Sequence, residues 1–231
     1  SDLSQIIKHN SFRQVMKDLP VESKAFAYQF CDIRGLPTEA DNQSGRYKKL
    51  FAGTQQVFLD GLKVKLPDWA SFTGKSGDLT LRFLRRDEPQ GMFLGRLSKC
   101  CQEPENWAAS CAYDGHLNPN AAFAVIEGPE GLVFQSYVWA DEDGNVCFDS
   151  IESPMYDFRS KYHNDGQQLL KDFADSLPSG KICTVGNNSF SFNSANKKLS
   201  NPTETNKILY VAQLLYDFCP ANSSSLYTAD S

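Results

Sequence analysis

Between Ala122 and Ile151 the apolar residues fall into three short runs, Ala122–Glu127, Leu132–Trp139 and Asn145–Ile151. The separators are Gly128-Pro129-Glu130-Gly131 and Asp141-Glu142-Asp143-Gly144. Gly tolerates positive φ, Pro pre-sets φ and Asp bonds its own backbone, so each separator favours a turn. The pattern predicts strand, turn, strand, turn, strand. Leu79, Leu81 and Phe83 alternate with polar neighbours and predict one more strand upstream, before Pro89 and Gly91 break the chain ahead of Met92–Leu97.

Elsewhere the spacing is helical. Leu3, Ile6, Ile7, Val15, Met16 and Leu19 predict a first helix closed by Pro20, and Phe26, Phe30 and Ile33 a second over Glu22–Ile33, with Gly35 and Pro37 as its stop. A third is expected over Ser44–Leu62, weakened inside by Gly53. Residues 1–70 therefore read as a helical cap or subdomain. Phe72–Gly77 reads as a hinge within a linker over 71–78, and 79–231 as an α/β domain. Gly74-Lys75-Ser76 echoes a phosphate-binding loop, but Trp69 stands where that pattern needs its first Gly. After Ser153-Pro154 a polar loop reaches Gly166. Asp165 is placed to cap a helix carrying Leu169, Leu170, Phe173 and Leu177, which Pro178 closes. Lys181–Val185 predicts a strand, Asn187–Asn206 a loop, and Pro202-Thr203-Glu204 the start of a last helix with Ile208, Leu209, Leu215 and Phe218 inward.

Composition narrows the class. A hydrophobic share of 41% in 231 residues supports a buried core. A net charge of −5, without a basic stripe, argues against nucleic acid as a partner. No apolar run reaches the ~20 residues that a membrane span needs, and no signal segment opens the chain. Ser1 at the start suggests a processed or trimmed chain. Seven cysteines, an odd count in a chain that needs no staples, read as reduced thiols in a cytoplasmic compartment.

Cys100, Cys101, Cys111 and His116 gather in a Gly/Pro/Asn-punctuated stretch expected to be a loop. Three readings stay open there: four zinc ligands, though without a CxxC hairpin; a Cys100 or Cys101 nucleophile deprotonated by His116, with Asp114 or Asp149 orienting the imidazole; or small thiols lining a core. The second would make the chain a Cys/His-dependent transferase or hydrolase.

The order of three strands, polar loop, amphipathic helix and further strand resembles the core of the GNAT superfamily of N-acyltransferases. The blocks FLG…CCQ…SCAYDG…NPNAAFAVIE and QSYVWADEDGNVCFDSIE are similar to a divergent GNAT-like group of mobile genetic elements and secreted bacterial proteins, which allows release into a host cytosol. The resemblance covers residues 79–231. It implies a mixed, mostly antiparallel sheet with flanking helices, and acetyl-CoA or another acyl-CoA as donor to a small-molecule or protein amine. It also implies a fourth and a fifth strand that diverge near Phe148 and Ile182 to admit the pantetheine arm, with amides at a helix N-terminus for the pyrophosphate. Ile151, His163, Asn164, Gly166 and Gln168 take the donor-binding positions, Gly166 alone keeping the family's residue type. Asp149 or Glu152 would take the proton of the acceptor amine, and Tyr216 or Tyr210 would protonate the leaving thiolate. One of Gln135, Ser136 and Tyr137 would face the cleft, with Trp107 and Trp139 as walls. A third reading is a binding module that keeps the fold without the chemistry.

Overall fold

The computed structural model describes residues 21–98, 100, 102–106, 109–149, 151–154, 158–181, 183–185, 190–191 and 198–199. Two compact units divide the chain. One comprises Ser1–Lys65, Arg85–Leu97 and Cys101–Leu117; the other comprises Leu66–Leu84, Ser98–Cys100 and Asn118–Ser231. The expected first helix, Leu3–Leu19, and the last one lie outside the described residues.

The first unit is helical. Helix α1 (Val21–Arg34) forms where Phe26, Ala27, Phe30 and Cys31 make one buried stripe. Helix α2 (Glu39–Ser44) starts at a capping box, in which Thr38 and Asp41 satisfy each other's backbone N–H. The single helix expected over Ser44–Leu62 is interrupted. Gly45, in the left-handed region at φ 70°, ends α2 and leads into α3 (Arg46–Gly61), a reversal that costs Gly little. A 3-10 turn (Pro89–Phe93) and α4 (Leu94–Leu97) add Met92 and Phe93 to the core. Phe26 stacks on Phe58 at 5.2 Å and on Phe93 at 5.6 Å. Helix α5 (Ala109–Leu117) corrects the expectation of a loop around Cys111 and His116. It approaches α3 so closely that a Cβ at Gly61 would sit 3.1 Å from the His116 carbonyl oxygen.

The second unit is a six-stranded sheet in the order β1 (Gly74–Ser76), β2 (Leu79–Phe83), β3 (Ala121–Gly128), β4 (Gly131–Ala140), β5 (Val146–Phe148), β6 (Cys183–Val185). The first five strands run antiparallel and β6 lies parallel to β5. The residues expected to form a hinge are thus a strand: β1 pairs with β2 through a tight turn at Gly77-Asp78. The three runs between Ala122 and Ile151 are the meander β3–β4–β5. Asp141 shapes its second turn, its Oδ1 accepting from the N–H groups of Asp143 and Asn145. Two short strands, β7 (Phe190–Ser191) and β8 (Lys198–Leu199), pair separately inside the expected loop.

Helix α6 (Phe158–Ser176) is the crossover from β5 to the parallel β6. Its Leu169, Leu170, Phe173 and Ala174 pack on Leu79, Leu81, Ala122, Ala124, Phe134, Val138 and Phe148. Strand alternation turns Phe123, Val125, Gln135, Tyr137, Trp139 and Cys147 to the other face, and these too are almost wholly buried. Helix α6 starts earlier than expected, within the anticipated polar loop, and leaves helical geometry at Tyr162 (φ −122°, ψ 20°). Asp165 lies inside it, not at a cap. Among the described residues no helix is long and apolar enough to cross a membrane.

Candidate functional site

The buried face of the sheet away from α6 gathers the polar side chains that candidate chemistry needs. Gln135 in β4 is fully buried. Its Nε2 donates to Ser98 Oγ at 3.1 Å and lies 3.5 Å from Cys100 Sγ, while its Oε1 has no hydrogen-bond partner. Opposite Gln135 stands Glu152. Their main chains exchange two hydrogen bonds, Gln135 N–H to the Glu152 carbonyl at 2.8 Å and the reverse at 2.9 Å. Directly paired residues point to one side of a sheet, so Gln135 and Glu152 share a face, and Cys100 meets it.

Between Phe148 and Glu152 the chain bulges. Val138 pairs with Phe148 and Gln135 with Glu152, so three steps along β4 answer four along the returning strand. One residue is therefore extra. Asp149 sits at the start of this bulge, 7% exposed, its N–H bonded to the Tyr137 carbonyl at 2.8 Å. The structure thus brings Cys100, Gln135, Asp149 and Glu152 to one stretch of the sheet. Ile151 is instead core, at 1% exposure among the residues under α6.

The other expected residues fare differently. Of the expected Cys–His pair, His116 and Cys101 fall in the first unit and Cys100 in the second. Burial, then the Arg86 charge, drive the His116 imidazole down to about 4, with backbone hydrogen bonding at Gly91 pulling the other way. An imidazole that holds its proton only in acid is a feeble base toward a thiol. Arg86, pushed down to about 10 by burial, donates to the Gly115 carbonyl. Cys111 is buried on α5. Among the described residues no three His, Cys, Asp or Glu side chains are grouped to hold a metal. Cys101, Trp107, Tyr210 and Tyr216 lie outside the described residues.

In the expected donor segment, Gly166 is buried within α6 and Asn164 is exposed. Gln168 donates to Asp172 at 2.7 Å, and the His163 side chain is not among those described. The expected wedge near Phe148 does not open between β5 and β6 themselves: Val146, Cys147 and Phe148 pair with Cys183, Thr184 and Val185, the full length of both strands. Ile182 and the residues after Val185, up to 189, lie outside the described set. A cavity of about 500 Å³ occurs at the opposite end of these strands, lined by Trp69, Phe72, Leu177, Pro178 and Lys181 among others.

Sequence reasoning named Gln135 as one of three possibilities and missed Ser98. A lone amide inside the run Leu132–Trp139 is the signal for the first; Ser98 has no such mark. Comparison with protein-family models, curated proteins and solved structures finds no match to this chain.

Proposed function

We propose that the chain is an acyl-CoA-dependent N-acyltransferase-like protein whose second unit is a GNAT-like core. It would pass an acyl group, acetyl in the simplest case, from acetyl-CoA to an amine on a small molecule or protein. The observation that carries this reading is the sense of the sheet: an antiparallel meander joined by one crossover helix to a single parallel strand. The bulge past Phe148 supports a divergence of the two parallel chains beyond their paired residues, since a bulge bends its strand. The break at Tyr162 supports the donor position, because amides following a break in a helix lose ideal i−4 partners and are free to meet a pyrophosphate.

In this scheme Asp149 or Glu152 accepts the ammonium proton. The neutral amine nitrogen then bonds to the thioester carbonyl carbon as the carbon–sulfur bond breaks. The first proton stays on the carboxylate until solvent takes it, and the second proton, lost by the nitrogen after attack, ends on the departing thiolate. Calorimetry of the full chain with acetyl-CoA and with coenzyme A tests the reading. Saturable binding that weakens when Gly166 is replaced by Glu is expected, and no heat at millimolar ligand would sink it. If binding is present, Asp149→Asn or Glu152→Gln should cut turnover by roughly 10²–10⁴-fold, the contribution of a general base.

A second reading is a module that keeps the sheet without the transfer step. The complete pairing of β5 with β6 favours it. Under this reading neither coenzyme A nor acetyl-CoA binds.

A further inference from the structure

In the first unit Glu105 is the focus of two arginines that come from distant parts of the chain. Arg34, in the last turn of α1, donates from Nη2 to Glu105 Oε2 at 2.6 Å, and Arg46, at the start of α3, donates from Nε to Oε1 at 3.2 Å. Each carboxylate oxygen is thus used by one guanidinium. The Arg34 side chain is nine-tenths buried, lies 5.9 Å over the Phe30 ring, and keeps a buried Nη1 with no hydrogen-bond partner. Tyr113 adds a half-buried phenol near the pair, its pKa raised by burial and then by the Glu105 charge.

Glu105 is held there at a cost. It is the sole non-glycine residue with positive φ among those described, at 79°, a conformation that disfavours a side chain with a Cβ. Its neighbour Glu103 is anchored separately, 3.7 Å from Arg96 Nη1, so the segment has a fixed point if Glu105 leaves. The Arg46 side chain is 73% exposed and that of Glu105 26%, which opens the pair to solvent.

We propose that Arg34 and Arg46 form a binding site for a phosphate dianion, free or as a monoester, and that Glu105 is its internal stand-in. A carboxylate has two oxygens for three guanidinium nitrogens. A tetrahedral phosphate has the third oxygen, and with it Arg34 Nη1 gains the acceptor it lacks. Guanidinium forks suit phosphate in this bidentate way. Release of Glu105 also relieves its left-handed backbone, so the site is closed by a strained plug and opened by a competing oxyanion.

Removing the plug tests this. Phosphorus NMR titration of the full chain with inorganic phosphate and with methyl phosphate, at constant ionic strength, reads binding directly. Glu105→Gln keeps the shape and removes the charge, and Glu105→Gly also removes the strain. Both should bind at least ~10-fold more tightly than the parent chain, since the plug no longer competes for the site. Adding Arg34→Lys to either should abolish that gain. Tighter binding of inorganic phosphate would assign a free ion, and tighter binding of methyl phosphate an ester. Equal affinity of the parent and the Glu105→Gln chain, or a gain that survives Arg34→Lys, would overturn the proposal. Should Glu105→Gly not fold, Glu105→Gln alone decides.

Discussion

Asp165 accepts a hydrogen bond from Ser76 Oγ at 2.8 Å, tying the middle of α6 to the hairpin that opens the sheet. The same carboxylate fills the space beside Gly77, where an added Cβ would stand 2.8 Å from Asp165 Oδ2. Gly77 also has φ 56°, so a side chain there is disfavoured twice.

This contact makes a prediction about coupling. A part-buried hydrogen bond to a charged acceptor contributes about 1–2 kcal/mol, so Ser76→Ala and Asp165→Ala should each destabilise by that order. The double variant should cost less than the sum of the two. Gly77→Ala should lower stability by more than about 1 kcal/mol, and Asp165→Ala should recover part of the loss, because the φ penalty stays and the clash goes. Urea unfolding of the single and double variants measures both couplings.

Phe173 makes the larger contribution to the same helix. Its ring lies 5.3 Å from Phe83, 5.4 Å from Phe148 and 5.4 Å from Phe72, so one side chain of α6 touches β2, β5 and the segment before β1. Phe173→Ala should cost about 3–5 kcal/mol, and Phe173→Leu markedly less, since the cavity left behind is smaller. Calorimetric melting would register the difference.

The strands around this core were legible because β2 alternates with period two and β3, β4 and β5 are short apolar runs between turn-forming tetrads, and α6 because Leu169, Leu170, Phe173 and Leu177 fall on one stripe. Other parts were not. β1 has three residues, one of them Gly, and pairs only because Gly77 turns the chain back onto Leu79. α5 has its glycine at Gly115 and little apolar periodicity, and packs through close backbone approach at Gly61, which leaves no hydrophobic signature. The first turns of α6 carry polar residues that read as loop. At the site, the carboxylates at the end of β5 were visible as strand-terminal acids. That Ser98 and Cys100 would meet Gln135 was not, because they lie 37 and 35 residues away in the chain. The Arg34–Glu105 pair, 71 residues apart, was equally hidden.

His116 sets an acid limit on the first unit. Its folded pKa of about 4 lies below the ordinary 6.5, so the unfolded chain takes up a proton that the folded chain refuses. The stability at stake is fully present above pH 6.5 and is lost as pH falls from 6.5 toward 4, to roughly 3 kcal/mol at the end of that window. Urea unfolding at pH 7, 6, 5 and 4.5 should show this slope. His116→Gln, which cannot titrate, should be less stable at pH 7 and should lose the part of the slope that lies between 6.5 and 4.

The thiols offer a check on the division between chemistry and packing. Burial pushes the Cys31 and Cys183 thiols from 9.0 up to about 12, which cuts their thiolate fraction by about 10³. Iodoacetamide at pH 8 followed by peptide mass mapping should leave both unmodified in the folded chain and modify both in urea. Cys100, also buried, should likewise react slowly. Rapid labelling of Cys100 at pH 6–7 would instead revive a thiol-based chemistry.

Gln135 separates function from stability most cleanly. A buried amide oxygen without a partner carries a desolvation penalty of about 1–3 kcal/mol, whereas its Nε2 gains a hydrogen bond to Ser98 of about 1 kcal/mol. Replacing the side chain by one of similar shape and no polarity removes both terms, so Gln135→Met should leave stability unchanged or slightly raised. Gln135→Glu buries a charge in the same place and should be strongly destabilising unless the acid stays protonated. An amide that does little for the fold is available to a site, and Gln135 stands beside Glu152 on the sheet face away from α6. Urea unfolding of Gln135→Met, paired with coenzyme A calorimetry, tests that argument: intact stability with lost binding assigns the amide to the site, and intact stability with intact binding removes it.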